Sequence, residues 1–419
     1  MNPRIIVTGI GFVTSIGNDR LTVTDSLRKL TTGIEKHNEL QCETSPVKVA
    51  GTIKDFDVQS TDPEDWTYPS AYQVPRAVIR SFSPHVLYAW CAVRQAIEDA
   101  GLSEEDLSNP DSGLYTASGG SMRSIHKHFQ KMDDLGVMAC NPLAIIASIA
   151  GTLSFNLVAA LKIRGSSTGF VSACASSGHA LGTALDEIRL GRQKRMLVVG
   201  AEDCNFESIV PFAGMRALSL DREVARASRP FDKSRNGFVG TGGSVCLVLE
   251  TEEEANRRGA TAYAEFIGWG QASDGHNIAI SHPEGRGLQN AMRNALCDSG
   301  IESSQIDYLN AHAPSTPIGD ASELCAIKKV FPEPQSISFS STKALTGHGL
   351  SLSSIMEAGF CCLALKDGFM PGSANVEEPD DAIGHLNLLR ETIDRQAERI
   401  LSNSSGFGGA NVSLVFGRT

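Results

Sequence analysis

One cysteine, two histidines and a lysine occur where an α/β protein could use them for chemistry. Cys174 lies in a run of small residues, 172–178, directly before a helical pattern, while His312 and His348 each follow a strand-like stretch. A thiol at a strand-to-helix turn faces free backbone N–H groups and the positive end of the helix dipole, which favours thiolate and stabilises a nearby oxyanion. These features indicate a nucleophilic Cys174, with His312, His348 and Lys343 as a second constellation. The alternative for Cys174 is a buried, inert cysteine.

Two other kinds of site are disfavoured. A metal site would need a third ligand at a spacing compatible with His312 and His348, and none is evident, so we expect no metal. The other eight histidines are interpreted as surface or core residues. Gly9 and Gly11 follow an apolar run and suggest a dinucleotide-binding turn, but Thr14 stands where the third glycine belongs. We interpret this segment as a strand entering a turn.

Helix-like and strand-like segments, which must position these residues, alternate along the chain. Ser83–Ala100 has the apolar spacing of a helix, residues 181–188 form a second helical face, and Met196–Val199 is an apolar strand. Asp320–Glu323 resembles a capping box that opens a further helix. The alternation predicts an α/β protein with buried, mostly parallel sheets.

A faint internal repeat suggests two related halves. Gly237–Gly240 precedes an alternating strand at 245–249, and Gly406–Gly409 precedes another at 412–416. The charged stretch 251–259 lies between them. We therefore predict a first half at residues 1–250, with the cysteine, and a second half at 251–419, with both histidines.

Composition excludes several classes of protein. The 419 residues carry a formal net charge of −11, which argues against a protein that coats nucleic acid. No apolar run is long enough for a membrane span, and the N-terminus lacks the features of a signal peptide. Ten cysteines without metal-type spacing are typical of a reducing compartment, so we expect a cytoplasmic protein.

Five blocks, in order along the chain, resemble the β-ketoacyl-acyl-carrier-protein synthases, the elongating type I/II condensing enzymes of the thiolase superfamily. The blocks are Val171–Gly182 (VSACASSGHALG), Arg229–Phe238 (RPFDKSRNGF), Asn310–Asp320 (NAHAPSTPIGD), Ser340–His348 (SSTKALTGH) and Ser402–Asn411 (SNSSGFGGAN). The resemblance implies a five-layered αβαβα fold of two pseudo-duplicated halves with mixed sheets, usually in a dimer.

The resemblance also implies roles for individual residues. Cys174 would be the acylated nucleophile, His312 and His348 the histidine pair, and Lys343 and Glu357 a supporting pair. A surface acid on a helix is the alternative for Glu357. The backbone N–H groups of Cys174 and Phe407 would form an oxyanion hole, with Gly406 and Gly408 in the gating loop around Phe407.

The implied reaction joins two acyl units. An acyl group moves from a carrier thioester to Cys174, and a malonyl carrier thioester then loses its carboxylate and attacks the acyl-cysteine. The substrates travel on the phosphopantetheine arm of an acyl carrier protein, so no resident cofactor is expected. Carrier proteins are acidic, and basic residues must attract them to this acidic chain; the candidates are Arg76, Arg80, Arg123, Lys127 and Lys131, with ordinary surface charge as the alternative.

The chain departs from the family pattern at several places. Ala313-Pro314 replaces a Gly-Thr pair whose threonine normally binds the pantetheine arm, although Thr316 remains. Ser351–Ser354 replaces a run of smaller residues, Ser405 replaces a phenylalanine, and Asn236 stands where aspartate is common. We expect altered arm binding, a repacked helix near the site and a specialised pathway.

Three alternatives stay open. The chain could be the catalytic subunit of a heterodimer whose partner sets chain length. It could be a non-elongating homologue that binds or decarboxylates acyl groups. A metal-dependent hydrolase using His312 and His348 is the alternative from a different class.

Overall fold

The computed structural model describes residues 3–334 and 336–419, which contain thirteen strands. The strands are β1 (Ile5–Val13), β2 (Ile34–Lys36), β3 (Val49–Gly51), β4 (Ser112–Ala117), β5 (Ser167–Phe170), β6 (Arg195–Glu202), β7 (Gly243–Thr251), β8 (Ala264–Ser273), β9 (Tyr308–Asn310), β10 (Ser338–Ser340), β11 (Asn387–Leu388), β12 (Arg399–Gly406) and β13 (Ala410–Gly417). Strands β2 and β3 form a small sheet of their own, and the other eleven form one large sheet.

The described part of the chain also contains fifteen α-helices. They are α1 (Arg20–Lys29), α2 (Arg76–Ile79), α3 (Pro84–Ala100), α4 (Glu104–Leu107), α5 (Met122–Leu135), α6 (Ala144–Ser148), α7 (Thr152–Leu161), α8 (Ser176–Arg189), α9 (Phe206–Ile209), α10 (Val224–Ala227), α11 (Glu252–Arg258), α12 (Arg286–Ser299), α13 (Pro317–Val330), α14 (Lys343–Thr346) and α15 (Ser353–Asp367). Within the described ranges, none of these helices combines the length and apolar character that a membrane span requires.

The large sheet consists of two half-sheets with the same plan. Outward from the middle, one half runs β1-β7-β6-β4-β5 and the other runs β8-β13-β12-β9-β10, with β11 added at its edge. In each half the first three strands are antiparallel and the next ones are parallel. The expectation of mostly parallel sheets is thus wrong for the central strands, and the expectation of two similar halves with mixed sheets is confirmed.

The halves meet through a narrow seam and a shared helical layer. Only Ile6–Glu265 and Val7–Ala264 pair across the seam between β1 and β8. Helices α8 and α15 pack on each other and on strands of both halves, whereas α3 covers one outer face and α12 covers the other. The helices and half-sheets therefore alternate in five layers, αβαβα, and the central apolar core surrounds α8 and α15.

The glycines near the N-terminus have a packing role. Strand β1 continues through Gly9 and Gly11 to Val13 and enters a turn at Ser15 and Ile16, so the predicted strand and turn are both present. A Cβ atom on Gly11 would lie 1.9 Å from the carbonyl oxygen of Ala92, and one on Gly9 would lie 2.4 Å from that of Ala96. Glycine is required because helix α3 lies directly on the strand.

Candidate active site

Cys174 lies in a tight turn between β5 and α8, as its sequence setting predicts. Ala173 has a positive φ of 50°, and the Ser176 hydroxyl ties the turn together by accepting from Ser172 N at 2.8 Å and donating to Ala173 O at 2.6 Å. The turn points the buried thiol at the loops of the second half. A Cβ atom on Gly406 would lie 2.9 Å from Cys174 N, so only glycine lets the loop after β12 approach this turn.

His348 contacts the thiol directly. Its Nε2 lies 3.0 Å from Cys174 Sγ, and its Nδ1 lies 2.9 Å from the hydroxyl oxygen of Ser353. The Phe238 ring meets the imidazole edge-on, with the ring centres 5.2 Å apart. The ring of His348 is therefore held at both nitrogens and on one face.

His312 lies beside His348 but is held differently. The two imidazole rings are nearly perpendicular, with centres 5.2 Å apart. The buried carboxylate of Glu323 accepts from His312 N at 3.0 Å and from Ala313 N at 2.7 Å. Among residues 3–334 and 336–419, no side chain or backbone group forms a hydrogen bond with His312 Nδ1. Glu323 therefore fixes the main chain of this loop, whereas the described residues offer the Nδ1 atom of the His312 ring no hydrogen-bond partner.

Lys343 and Glu357 form a fully buried ion pair behind the histidines. Lys343 begins α14 and Glu357 lies in α15, so the surface interpretation of Glu357 is wrong. Burial raises the pKa of Glu357 to about 7, and the Lys343 ammonium opposes this rise. The sequence resemblance expects these two residues to act together, and the structure brings them together.

The site is electrically neutral around the thiol. Burial raises the pKa of Cys174 to about 12, and the nearby Lys343 ammonium counteracts only part of that rise. Burial lowers the pKa of His312 and of His348 well below the usual range, and Lys343 lowers both further. Burial therefore opposes the thiolate that the turn is expected to favour.

Cys174 also supplies the third ligand atom that the sequence did not reveal beside the two histidines. Its Sγ and one nitrogen of each ring lie within 4.8 Å of one another. The positive charge of Lys343 acts on both rings. Because this charge opposes a second cation at the same place, the arrangement is better suited to handling protons than to binding a metal.

Phe407 lies in the loop between β12 and β13, close to the cysteine turn. Its half-buried ring stacks on Phe212 with centres 6.1 Å apart. Gly408, which has a φ of 75°, donates from its N–H to Ile278 O at 2.7 Å. The position of the loop is compatible with the predicted oxyanion hole and gate.

The loop after His312 does not contain the predicted capping box. Helix α13 begins at Pro317, so Asp320 and Glu323 lie inside it. The Asp320 carboxylate accepts from Ser315 N and Thr316 N, each at 3.1 Å. Both acids turn back to bind the loop that carries His312, and Thr316 lies half-buried at its end.

The serines at 351–354 form hydrogen bonds with the site. Ser353 contacts His348, and Ser354 donates to Cys174 O at 3.1 Å. Ser351 donates to the buried carboxylate of Glu202, which also accepts from Gly119 N at 3.2 Å. The serines of this segment thus form a polar network with the site.

The other two departures also form hydrogen bonds within the protein. Ser405 donates to Asn411 Oδ1 at 2.7 Å. Asn236 accepts from the Ser219 hydroxyl at 2.8 Å and donates to Asp221 at 3.1 Å. Both side chains therefore have hydrogen-bond partners within the described part of the chain.

The basic residues proposed for docking differ in availability. Arg123 is buried and paired with Glu39 and Glu207, so its assignment as a docking residue is wrong. Arg76 and Arg80 are exposed, but both pair with Glu64. A paired cation attracts a partner less strongly than a free one.

Lys127 and Lys131 lie on α5, which borders the same cleft as Arg80. Lys127 is half-buried, with its ammonium 3.4 Å from Gln59 O, and Lys131 is exposed. The sequence alone could not separate these lysines from Arg123, because helical spacing does not show which face of α5 is covered.

Three residues important to the geometry were not predicted as site residues: Glu323, Glu202 and Ser353. All three are buried acids or hydroxyls; the partners of Glu202 are distant in sequence, whereas Ser353 and Glu323 bind His348 and the His312 loop from five to eleven residues away. The one available signal was for Glu323, which adjoins the apolar helix face containing Leu324 and Ile327 and therefore points inward.

Two family profiles match the chain. The profile described as "Beta-ketoacyl synthase, N-terminal domain" matches residues 2–255, and "Beta-ketoacyl synthase, C-terminal domain" matches residues 263–377. Together they span most of the chain.

Named relatives match over nearly the whole length. The 3-oxoacyl-[acyl-carrier-protein] synthase 1 of Haemophilus influenzae is 37% identical over 99% of both chains. The structure of a β-ketoacyl synthase from Burkholderia phymatum is 30% identical, with a TM-score of 0.90 and all of both chains covered. A structure named the ishigamide ketosynthase/chain length factor is 28% identical, with the same TM-score and full coverage.

Proposed function

The chain belongs to the β-ketoacyl synthase family, and we propose that it joins an acyl group and a malonyl unit, both delivered on acyl carrier protein, to form 3-oxoacyl-carrier protein. The observation that carries this proposal is the contact of one buried thiol with His348 at 3.0 Å, with the His312 ring packed edge-on against His348. The synthases named among its relatives supply the substrate class.

In the first half-reaction, Cys174 Sγ attacks the carbonyl carbon of the acyl thioester. The thiol proton passes to His348 Nε2, which is within hydrogen-bond distance, and then to the sulfur of the departing pantetheine. A carbon–sulfur bond forms at Cys174 and the bond to pantetheine breaks. Because the thiol is neutral at rest, His348 must remove its proton before or during this attack.

In the second half-reaction, the malonyl thioester loses carbon dioxide and its α-carbon attacks the acyl-cysteine. Negative charge develops on the malonyl thioester oxygen, and N–H groups of His312 and His348 stabilise it. Each such donor contributes about 3–4 kcal/mol when it is preorganised. The backbone N–H groups of Cys174 and Phe407 stabilise the tetrahedral oxyanion formed at the acyl carbon. The released Cys174 thiolate then takes up a proton.

Burial, reinforced by the Lys343 ammonium, favours the neutral form of both histidines. Burial lowers the pKa of both rings and the ammonium lowers it further, while the buried Glu357 carboxylate balances the charge of the ammonium. Neutral rings can donate from one nitrogen and accept at the other, as the two half-reactions require.

Thr316 is the residue we assign to the pantetheine arm. It lies half-buried at the end of the His312 loop, whereas Pro314 has neither a hydroxyl nor an N–H to offer. The substrates bring their own phosphopantetheine, so we propose that the reaction needs no resident cofactor.

The test of the proposed function follows the covalent step. Incubation with acyl carrier proteins of several chain lengths should add the acyl mass to the intact protein, and Cys174→Ala should prevent the addition. Malonyl carrier protein should then release a product that is two carbons longer. Absence of an acyl adduct with every chain length tested would sink the proposal, and an adduct that malonyl carrier protein cannot elongate would favour the non-elongating alternative.

We propose that the carrier protein docks at the cleft of about 860 Å³ beside α5, where Lys127 and Lys131 supply the local positive charge. Arg80 also lines this cleft but pairs with Glu64, and Asp62 and Asp134 are the other acids that line it. An acidic carrier is attracted by local positive charge even though the whole chain is acidic. Lys131→Glu tests this through the KM for carrier-bound substrates, with Lys29→Glu on α1 as the control; equal KM values in both variants would contradict the assignment.

A second copy of the chain is proposed to pair along β5. This strand lies at the edge of the large sheet with exposed backbone, next to exposed apolar Phe155 and Val171. An exposed, apolar edge strand is a template for another strand, and a two-fold axis would join two copies of β5. Sedimentation of the purified chain tests this pairing; a monomer would favour the heterodimer alternative.

That alternative is supported by the likeness to a ketosynthase/chain length factor structure. The presence of Cys174 would make this chain the catalytic subunit. We place the protein in the cytoplasm, in line with its ten free cysteines; fractionation of cells that express the chain tests this placement.

A further inference from the structure

The two ring nitrogens of His348 have partners of different kinds. Nε2 faces the Cys174 thiol at 3.0 Å, and Nδ1 faces the Ser353 hydroxyl at 2.9 Å. A neutral imidazole carries one proton, so one nitrogen donates while the other accepts. What the hydroxyl does at Nδ1 is therefore coupled to what happens at Nε2.

In the free protein the thiol is neutral, because burial raises the pKa of Cys174. The S–H then donates to Nε2, which must accept. The single ring proton lies on Nδ1, and this N–H donates to Ser353 Oγ. In this arrangement the serine is a hydrogen-bond acceptor.

Condensation requires the opposite arrangement. Once Cys174 is acylated it has no S–H to donate, and Nε2 must carry the ring proton in order to stabilise the developing enolate oxygen. Between the half-reactions the ring releases its Nδ1 proton and takes one up at Nε2, both by exchange with solvent once the pantetheine has left, so the ring still carries a single proton. Nδ1 then has a lone pair and needs a donor. The Ser353 hydroxyl can supply one by rotating about its C–O bond, because a hydroxyl is both a donor and an acceptor.

We propose that Ser353 is a positioning residue whose hydroxyl supports both tautomers of His348, accepting from Nδ1 before acylation and donating to it during condensation. This inference rests on the proposed function, which supplies the two half-reactions. A backbone N–H at the same place could only donate, and an alanine side chain could do neither.

The surroundings of Ser353 fix its hydroxyl at this place. Ser353 is fully buried at the first residue of α15, and its neighbour Ser354 ties the same turn to Cys174 O at 3.1 Å. On the other side, Ser351 is bound to Glu202. The hydroxyl is held within reach of Nδ1 by a segment that is anchored on both sides.

The kinetic test measures the two half-reactions separately. Ser353→Ala should slow both acylation and condensation about tenfold, the effect of losing one buried hydrogen bond at the reacting group. Ser353→Thr keeps a hydroxyl and should restore both rates. Ser26→Ala is the matched control: it removes a buried hydroxyl that donates to Ile16 O at 2.8 Å on α1 and should leave both rates unchanged. Slowing of only one half-reaction, or of neither, would overturn the two-way role.

A spectroscopic test needs no substrate. Nitrogen-15 chemical shifts of labelled histidine distinguish a protonated ring nitrogen from an unprotonated one, and His348→Gln assigns the signals. The ring proton should lie on Nδ1 when the Cys174 thiol is present and move to Nε2 in Cys174→Ala. Adding Ser353→Ala to that variant should abolish the preference. An unchanged tautomer in all three proteins would overturn the inference, and a tautomer change without any acyl adduct would show that the proposed function alone is wrong.

Discussion

The loops that carry the two histidines hold the same side chain in different ways. The His312 loop is fixed through its main chain, by Glu323 at residues 312 and 313 and by Asp320 at residues 315 and 316. The His348 loop is fixed through the ring, at Nδ1 by Ser353 and at Nε2 by Cys174. One loop fixes where the ring lies, and the other also gives each ring nitrogen a hydrogen-bond partner.

This difference teaches how the two rings can share one reaction. His348 faces the thiol and must exchange a proton with it, so its tautomer has to be controlled. His312 has no such contact among the described residues, and a well-placed N–H is sufficient for its proposed role. Loss of a main-chain anchor should therefore reduce stability, and loss of the ring anchor should reduce rate.

The largest expected effect on the free energy of unfolding comes from removing Glu323, which fixes the main chain of the His312 loop. Glu323→Ala leaves the N–H groups of His312 and Ala313 and the amide of Asn403 buried without their acceptor. We expect the free energy of unfolding to fall by about 4 kcal/mol, since each orphaned donor costs about 1–3 kcal/mol. Urea denaturation measures the change. In Ser353→Ala the loss should be only about 1 kcal/mol, and a larger loss there than in Glu323→Ala would reverse the comparison.

The next effect tests the charge pair beneath the His348 loop. Glu357→Gln leaves the Lys343 ammonium buried without a counter-charge and should lower the free energy of unfolding by about 3 kcal/mol. The double variant Lys343→Met with Glu357→Leu removes both charges and should regain most of that stability while losing condensing activity. A double variant no more stable than Glu357→Gln would show that the pair matters for packing rather than for charge.

The smallest effect concerns Glu202, a buried acid with fewer donors than Glu323. Burial raises its pKa from the usual 4.5 to about 6. Between these values the folded protein holds a proton that the unfolded chain has lost, so stability decreases as pH rises from about 4.5 to about 6. This decrease is about 2 kcal/mol and should be absent in Glu202→Gln.

Urea denaturation at pH 4 and pH 7 measures the effect, with the exposed Glu43→Gln as the control. The decrease in wild-type stability between these pH values should exceed that of Glu202→Gln and match that of Glu43→Gln. Equal pH dependence in wild type and Glu202→Gln would show that Glu202 is already ionised in the folded protein.

Local patterns in the sequence are sufficient to predict individual helices and turns and to identify the reactive residues. The apolar spacing of residues 83–100 predicts α3, and the small residues around Cys174 predict its turn, because both depend on neighbours in the chain. Resemblance adds Lys343 and Glu357 as a pair, and the structure brings them together.

Contacts between distant segments are what local patterns missed. Asp320 and Glu323 resemble a helix start, but they also accept hydrogen bonds from Phe231 N and from the Asn403 amide, which are distant in the chain. Arg123 reads like Lys127 and Lys131, yet its partners Glu39 and Glu207 come from other parts of the chain. Which thiol, acid or cation is desolvated depends on the fold, and desolvation decides its charge.

The repeated strand order places Cys174 and His348 at equivalent positions of the two half-sheets. Cys174 follows β5 and precedes α8, and His348 follows β10 and precedes α15, which are the equivalent strands and helices of the two half-sheets. Equivalent turns of the two half-sheets thus carry the nucleophile in one half and, in the other, the histidine that contacts it at 3.0 Å.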